Sequence, residues 1–352
     1  MFKDMLIGDG VIHAYNNHPS NAHGEIGKGV IEETYQFATF VNPPEAVHSR
    51  EQWRHDFSAS AIEQALFLES DVDFGVYHSL PIFDYFEDGW SSLSKGVEIR
   101  DRNHERVKLL GCVDPLTDDP TAEMRRQVEE RDVDGFKTYP TFYDEGKIRP
   151  LRLDDELLPI VETAHSLGVD HIGAHKVLPL GPVGMHHLNV DDVADIASMY
   201  PDMQFELLHP DLAFIHETAS MLGSHPNVWV NLELTLGYLF LHPDRLAEIL
   251  GELLMWGGPD QILFGTGLPL VHPQSHIEAF WDFEIPEELG YPPLTDEVKR
   301  KILGENLLEL HDWDVDELRK QVESDTWAKR READGRPAPW SGVTVDGMEA
   351  TD

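Results

Sequence analysis

The chain has 352 residues, is 41% hydrophobic, and carries 65 acidic side chains against 27 Lys and Arg, a formal charge of -38 that repels nucleic acid and anionic membranes. No apolar run approaches the roughly 18 residues of a membrane span and strand-like sequence begins at once, so the expectation is a cytoplasmic protein with neither nucleic acid nor membrane as partner. A single cysteine, Cys112 in VKLLGCV, excludes an internal disulfide, and its apolar neighbours favour a buried thiol over a nucleophile.

Short apolar runs rich in β-branched residues recur at 6–13, 72–78, 107–113, 133–139, 169–175, 203–209, 227–233 and 261–266. Amphipathic helical stretches separate them. DDELLPIVETAHSLG closes on Gly168, and HPDRLAEILGELLMWGG repeats apolar residues at helical spacing before Gly257 and Gly258. Eight strand-then-helix units predict an α/β fold, a (β/α)8 TIM barrel forming a single domain over residues 1–325. An open doubly wound sheet is the rival, but no G-x-G-x-x-G follows the first strand. Long insertions follow strand 1 (14–58) and strand 2 (79–106). In a barrel both lie over the C-terminal face, where their Tyr, Phe, Trp and His would shape a pocket or hold a subunit interface. From 326 to 352, Gly, Pro and charges without periodicity predict an extended or disordered tail. The acids are dispersed along the chain, as on a solvated acidic surface; a high-salt host, where screening removes self-repulsion, would favour such a surface.

Three histidines fall at predicted strand ends: His13 after strand 1, His175 after strand 5 and His209 after strand 6. Lys137 lies in strand 4, and Gly267 follows strand 8. Residues i and i+2 of a strand point the same way, so D-x-H-x-H at a strand end would aim two imidazoles at one ion. In GDGVIH the first of those positions is Val11. One strand-end histidine is ordinarily a polar residue with a satisfied hydrogen bond. Three grouped on one barrel face make a natural environment for a divalent metal.

The pieces GDGVIH, GFKTYP, IGAHK, FELLHPD, NVWVNLE, DQILFGTGLP and VKRKILGENLLEL, in this order over residues 5–312, resemble the amidohydrolase superfamily. The likeness is to the amidohydrolase-2 group, which includes aminocarboxymuconate-semialdehyde decarboxylase. Within that group the chain looks most like proteins encoded beside bacterial diiron hydrocarbon monooxygenases, through GELLMWGGPDQILFGTGLPL and WDFEIPEEL. The resemblance implies one divalent metal (zinc, manganese or iron) held by two strand 1 histidines, the strand 5 histidine and a strand 8 aspartate, with the strand 6 histidine polarising substrate or water. On this chain it implies His13 and His175 as ligands and His209 as a catalytic residue. Val11 stands at the first histidine position and Gly267 at the aspartate position. The second change removes both a ligand and the general base on metal-bound water.

Glu233, near the end of strand 7, is the candidate replacement ligand; its bland reading is an interior acid paired with a base. Lys137 is read as a catalytic-site cation binding a substrate carboxylate in preference to a carboxylated bridge between two metals. Tyr15 and His272, on loops after strands 1 and 8, are candidate substrate-binding residues. Two functions follow. The first is a metal-dependent hydrolase or non-oxidative decarboxylase of a small carboxylated or carbonyl compound, working as a homodimer. The second is a metal-free, non-catalytic accessory or binding protein, for instance of a hydrocarbon monooxygenase system.

Overall fold

The computed structural model describes residues 2–139, 141–144, 147–180, 183–211 and 213–344. Eight parallel strands follow one another around a single sheet: β1 (Gly8–Ile12), β2 (Phe74–His78), β3 (Val107–Gly111), β4 (Gly135–Thr138), β7 (His171–His175), β8 (Gln204–Leu208), β9 (Val228–Asn231) and β10 (Ile262–Leu263). The remaining two, β5 (Thr141–Asp144) and β6 (Lys147–Pro150), form an antiparallel hairpin after β4 that the apolar pattern does not announce. Helices intervene between the barrel strands, so the fold is the expected TIM barrel.

The sheet closes through backbone bonds between β1 and the segment after β10. Gly10 N donates to Phe264 O at 2.9 Å, Gly267 N to Val11 O at 3.0 Å and His13 N to Leu268 O at 2.8 Å. Asp9 reinforces this seam, its carboxylate accepting from Thr266 N at 2.9 Å and the Thr266 hydroxyl at 2.5 Å. Burial, only partly offset by these bonds, pushes the Asp9 carboxyl up to about 7. Both faces of each strand are covered, which is why the strands read as unbroken apolar runs.

The outer helices follow their sequence signals. Pro243–Trp256 has proline in its first turn, buries Leu246, Ile249, Leu250 and Leu253, and ends at Gly257 and Gly258, the latter with φ +74. The barrel interior is less ordinary. Glu206 on β8 lies 3.1 Å from His171 Nε2 on β7 and 3.8 Å from His78 Nε2 on β2, and accepts from Asn231 Nδ2 at 2.7 Å. β2 and β8 are not neighbours, so this contact crosses the inside of the barrel. An interior usually filled by branched apolar layers here carries titratable groups.

Over 326–344 the structure differs from the expected extended or disordered tail, and 345–352 lie outside the described residues. Asp325 accepts from Ala328 N at 2.9 Å and starts a helix, Thr326–Asp334. None of its residues is fully buried, so no helical stripe appears in the sequence. Individual polar contacts hold it instead: Trp327 Nε1 donates to Asn103 Oδ1 at 2.7 Å, and Arg331 pairs with Asp71 at 3.1 Å. Beyond it Trp340 is 4% exposed. No helix among the described residues is long and apolar enough to cross a membrane.

Candidate functional site

The C-terminal strand ends surround a cavity of about 260 Å³. Its polar wall is His13, Tyr15, Glu33, Thr34, Tyr139, His175, His209 and Glu233; Val30, Phe37, Trp90, Leu178, Leu180, Leu234 and Leu270 supply apolar surface. Tyr15, Val30, Glu33, Thr34 and Phe37 come from the segment after β1, and Trp90 from the segment after β2.

Local backbone geometry aims these groups. His209 directly follows β8 with φ +62, and Trp90 (φ +84), Val177 (φ +65) and Leu234 (φ +58) share the left-handed region. Residues with large side chains rarely adopt it, and each costs about 1–3 kcal/mol unless the surroundings enforce it. Four such residues at one barrel mouth mark a site where side-chain direction has been favoured over backbone ease.

The central contacts form a string. His13 Nε2 lies 3.4 Å from Glu233 Oε1, Glu233 Oε2 lies 3.5 Å from His209 Nε2, and His209 Nε2 lies 2.9 Å from His175 Nδ1. The outer nitrogens are anchored on carbonyls: His13 Nδ1 on His78 O at 2.9 Å, His209 Nδ1 on Glu233 O at 3.1 Å and His175 Nε2 on Leu178 O at 2.6 Å. A carbonyl only accepts, so each of these nitrogens carries a proton. In the neutral tautomers so fixed, the facing nitrogens, His175 Nδ1 and His209 Nε2, each keep a lone pair 2.9 Å from the other.

Burial keeps both imidazoles neutral by pushing them down: His175 well below its usual range, with His209 and Lys137 adding to the shift, and His209 less far because Glu233 faces it. Burial also pushes Glu233 up, but His209, His13 and Lys137 together outweigh it and hold the carboxyl at about 2. The Tyr15 and Tyr139 phenols are pushed well above their usual value, first by burial and then by Glu233, and remain proton donors.

Gly267 explains how Glu233 fits. Its φ is +66, and a Cβ built there would lie 2.6 Å from Glu233 Oε1 and 3.1 Å from its Cγ. The β9-side carboxylate therefore occupies the space that any side chain at the β10-side position would need. Asn231 assists by ending β9: its Oδ1 accepts from Glu233 N at 3.0 Å.

Do these groups suit a divalent cation? Neighbouring ligands around a tetrahedral ion with bonds of roughly 2.1 Å lie roughly 3.4 Å apart. The His13–Glu233 and Glu233–His209 gaps have that size, and Glu233 Oε2 is a buried oxygen without a hydrogen bond. Among the described residues, however, no three His, Cys, Asp or Glu side chains already converge around one point. The donors fit in kind and in pairwise spacing, as a string open toward the cavity.

The remaining sequence candidates separate. Tyr15 is in the wall, stacked on His13 at 5.2 Å and on Trp90 at 4.1 Å between ring centroids. Lys137 lies just behind the wall, its ammonium 5.7 Å from the Tyr139 ring, with no hydrogen bond or ion pair to any described residue. Burial pulls it down to about 8, against the pull of Glu233 and Glu206. His272 corrects its expectation as a substrate-binding residue: it is buried outside the cavity. Its Nδ1 accepts from Gln274 N at 3.4 Å at the start of the helix Pro273–Asp282, and its Nε2 lies 3.5 Å from Glu69 Oε2. A loop histidine followed by proline reads equally well as a helix cap, and here that role prevails. Val11 is buried, with its carbonyl in the closing seam. Tyr139 was not singled out from the sequence. Its place two residues past Lys137, on the same strand face, was the available signal.

The sequence profile of a family described as amidohydrolase matches residues 91–310. Among solved structures, an uncharacterised TIM-barrel protein from Bordetella bronchiseptica superposes with a TM-score of 0.62 at 16% identity, over 87% of this chain and 98% of that one. The 2,6-dihydroxybenzoate decarboxylase from Rhizobium gives 0.56 at 13% identity, over 88% and 99%. The 5-carboxyvanillate decarboxylase from Novosphingobium aromaticivorans, solved with manganese and 4-hydroxy-3-methoxy-5-nitrobenzoic acid, gives 0.56 at 12% identity, over 88% and 97%. At these identities the likeness concerns the fold. No curated protein matches the sequence.

Proposed function

The chain belongs to the amidohydrolase family, and from that premise we propose a cation-assisted decarboxylase or hydrolase of a small carboxylated compound. The observation that carries the proposal is the Glu233 carboxylate, standing beside Gly267 between His13 and His209. A carboxylate has been supplied from the neighbouring strand where the sequence leaves a glycine. His13 and Glu233, which have ligand spacing, would hold the ion together with His175 through its Nδ1, and the ion would supply Lewis acidity toward a substrate oxygen.

The chain's own residues do the rest. Tyr15, Trp90 and Tyr139 offer flat apolar surface for a planar substrate, and the two phenols donate to its oxygens. His209 is placed to hold or release a proton at Nε2. Lys137 provides positive potential behind Tyr139 for a carboxylate. Decarboxylation, R–COO⁻ + H⁺ → R–H + CO2, consumes one proton taken ultimately from solvent, and His209 Nε2 is the candidate relay for it. In hydrolysis the unprotonated Nε2 of His209 would accept a proton from water.

Elemental analysis of the purified protein, repeated after incubation with manganese or zinc, tests the reading. About one ion per chain, lost in His13→Ala/His175→Ala, is expected, together with CO2 release from some member of a hydroxybenzoate panel. Absence of uptake favours the second reading, a metal-free accessory protein, whose supporting observation is that the donors form an open string.

The lysine gives a pH signature. With Lys137 at about 8, its charge is present below that pH and lost above it. Affinity for a carboxylate ligand is therefore expected to fall as pH rises through about 8. Lys137→Met should remove this limb, leaving an affinity that no longer changes there.

A further inference from the structure

We infer that Trp340 is a positioning residue for the cavity wall: it locks the 267–272 loop against the segment that follows β1. The indole stacks on His48 at 3.7 Å between centroids and meets His272 edge-on at 4.8 Å. Its Nε1 donates to Ala46 O at 2.7 Å, and its backbone N donates to Glu69 Oε2 at 2.7 Å. The Ser341 hydroxyl and Gly342 N reach the other oxygen of Glu69, at 2.7 and 3.1 Å. Trp340 adopts φ +63, a conformation that a bulky residue keeps only when its surroundings impose it.

The connection to the cavity runs through His48. Its Nε2 donates to Pro269 O at 3.0 Å. Asn42 completes the tie, its Nδ2 donating to Leu270 O at 2.9 Å and its Oδ1 accepting from His272 N at 3.1 Å. Leu270 is part of the cavity wall, and Gly267, at the start of the same loop, abuts Glu233. Gly267 and Leu268 stay tied to β1 through the seam, so loss of the anchor frees the stretch from Pro269 to His272 and with it the Leu270 part of the wall. Burial lowers His48 to about 3, so the ring stacked on the indole is neutral. A segment with no residue in the cavity thus determines the shape of its wall.

Hydrogen–deuterium exchange on the full chain tests this, independently of any activity. In Trp340→Ala, exchange in peptides spanning 43–49 and 265–275 is expected to rise about tenfold, while the peptide spanning β8, 204–209, keeps its protection. Trp340→Phe retains the stack and loses only the Nε1 bond; a rise of about threefold is expected. Unchanged exchange at 265–275, or an equal rise at 204–209, overturns the proposal. Should Trp340→Ala not fold, the phenylalanine variant decides alone: no rise at 265–275 overturns it.

Discussion

Glu233→Gln is expected to lower divalent-cation affinity by at least about 100-fold and to abolish any turnover that depends on the ion. Glutamine keeps the shape and removes the charge. The carboxylate is held at about 2 by His209, His13 and Lys137, so it is ionised throughout the pH range of any assay. Its loss leaves the Lys137 ammonium without the first of the two carboxylates that support its charge. The wild-type carboxylate also affects stability. Because its folded pKa lies below the unfolded value, its contribution is present above about 4.5 and lost as pH falls through about 2. Metal analysis and thermal unfolding of the two proteins, measured side by side at neutral pH, check both effects. A glutamine variant that retains a full complement of metal would remove Glu233 from the ligand set.

Gly267→Asp is expected to destabilise the protein by about 2–4 kcal/mol, combining left-handed backbone strain with overpacking. The new Cβ would sit 2.6 Å from Glu233 Oε1 at φ +66. Glu233→Ala empties that space. In the double variant the aspartate no longer meets a carboxylate, so the two substitutions should be less damaging together than their sum, with a coupling of about 1–3 kcal/mol. The double variant also restores a carboxylate from the β10 side and should regain part of the metal affinity that Glu233→Ala loses. Denaturant midpoints of the four proteins in the cycle measure the coupling. Strict additivity would mean that positions 233 and 267 do not compete for one space.

The barrel was legible because eight apolar runs alternated with amphipathic helices, and periodicity survives without any knowledge of contacts. The ends of the runs were less so. The seventh run reads as strand through residue 233, whereas β9 stops at Asn231, whose side chain turns back to accept from Glu233 N. That bend, followed by Leu234 at φ +58, directs Glu233. No pattern in VNLEL encodes it. His13, His175 and His209 were visible as strand-end imidazoles, and the structure brings all three to one cavity with Glu233 and Tyr15. His272 is ambiguous in sequence because a histidine before proline presents the same letters whether it faces a pocket or caps a helix. Trp340 lay hidden for a different reason: a single indole buried by three distant partners leaves no period to detect.

The barrel's seam joins residues near the start of the chain to others 257 positions later, through Asp9 and Thr266. β1 can be completed only after most of the chain has been synthesised, and until then its edge has no partner on that side. Closing such a long loop carries a high entropic cost and comes late in folding. His13, Val11 and Gly267 lie in or beside that seam, so assembling the cavity and completing the fold are a single event. A nascent or partly unfolded chain would therefore expose a bare strand edge, the form most open to pairing with another molecule, and would not yet have its cavity.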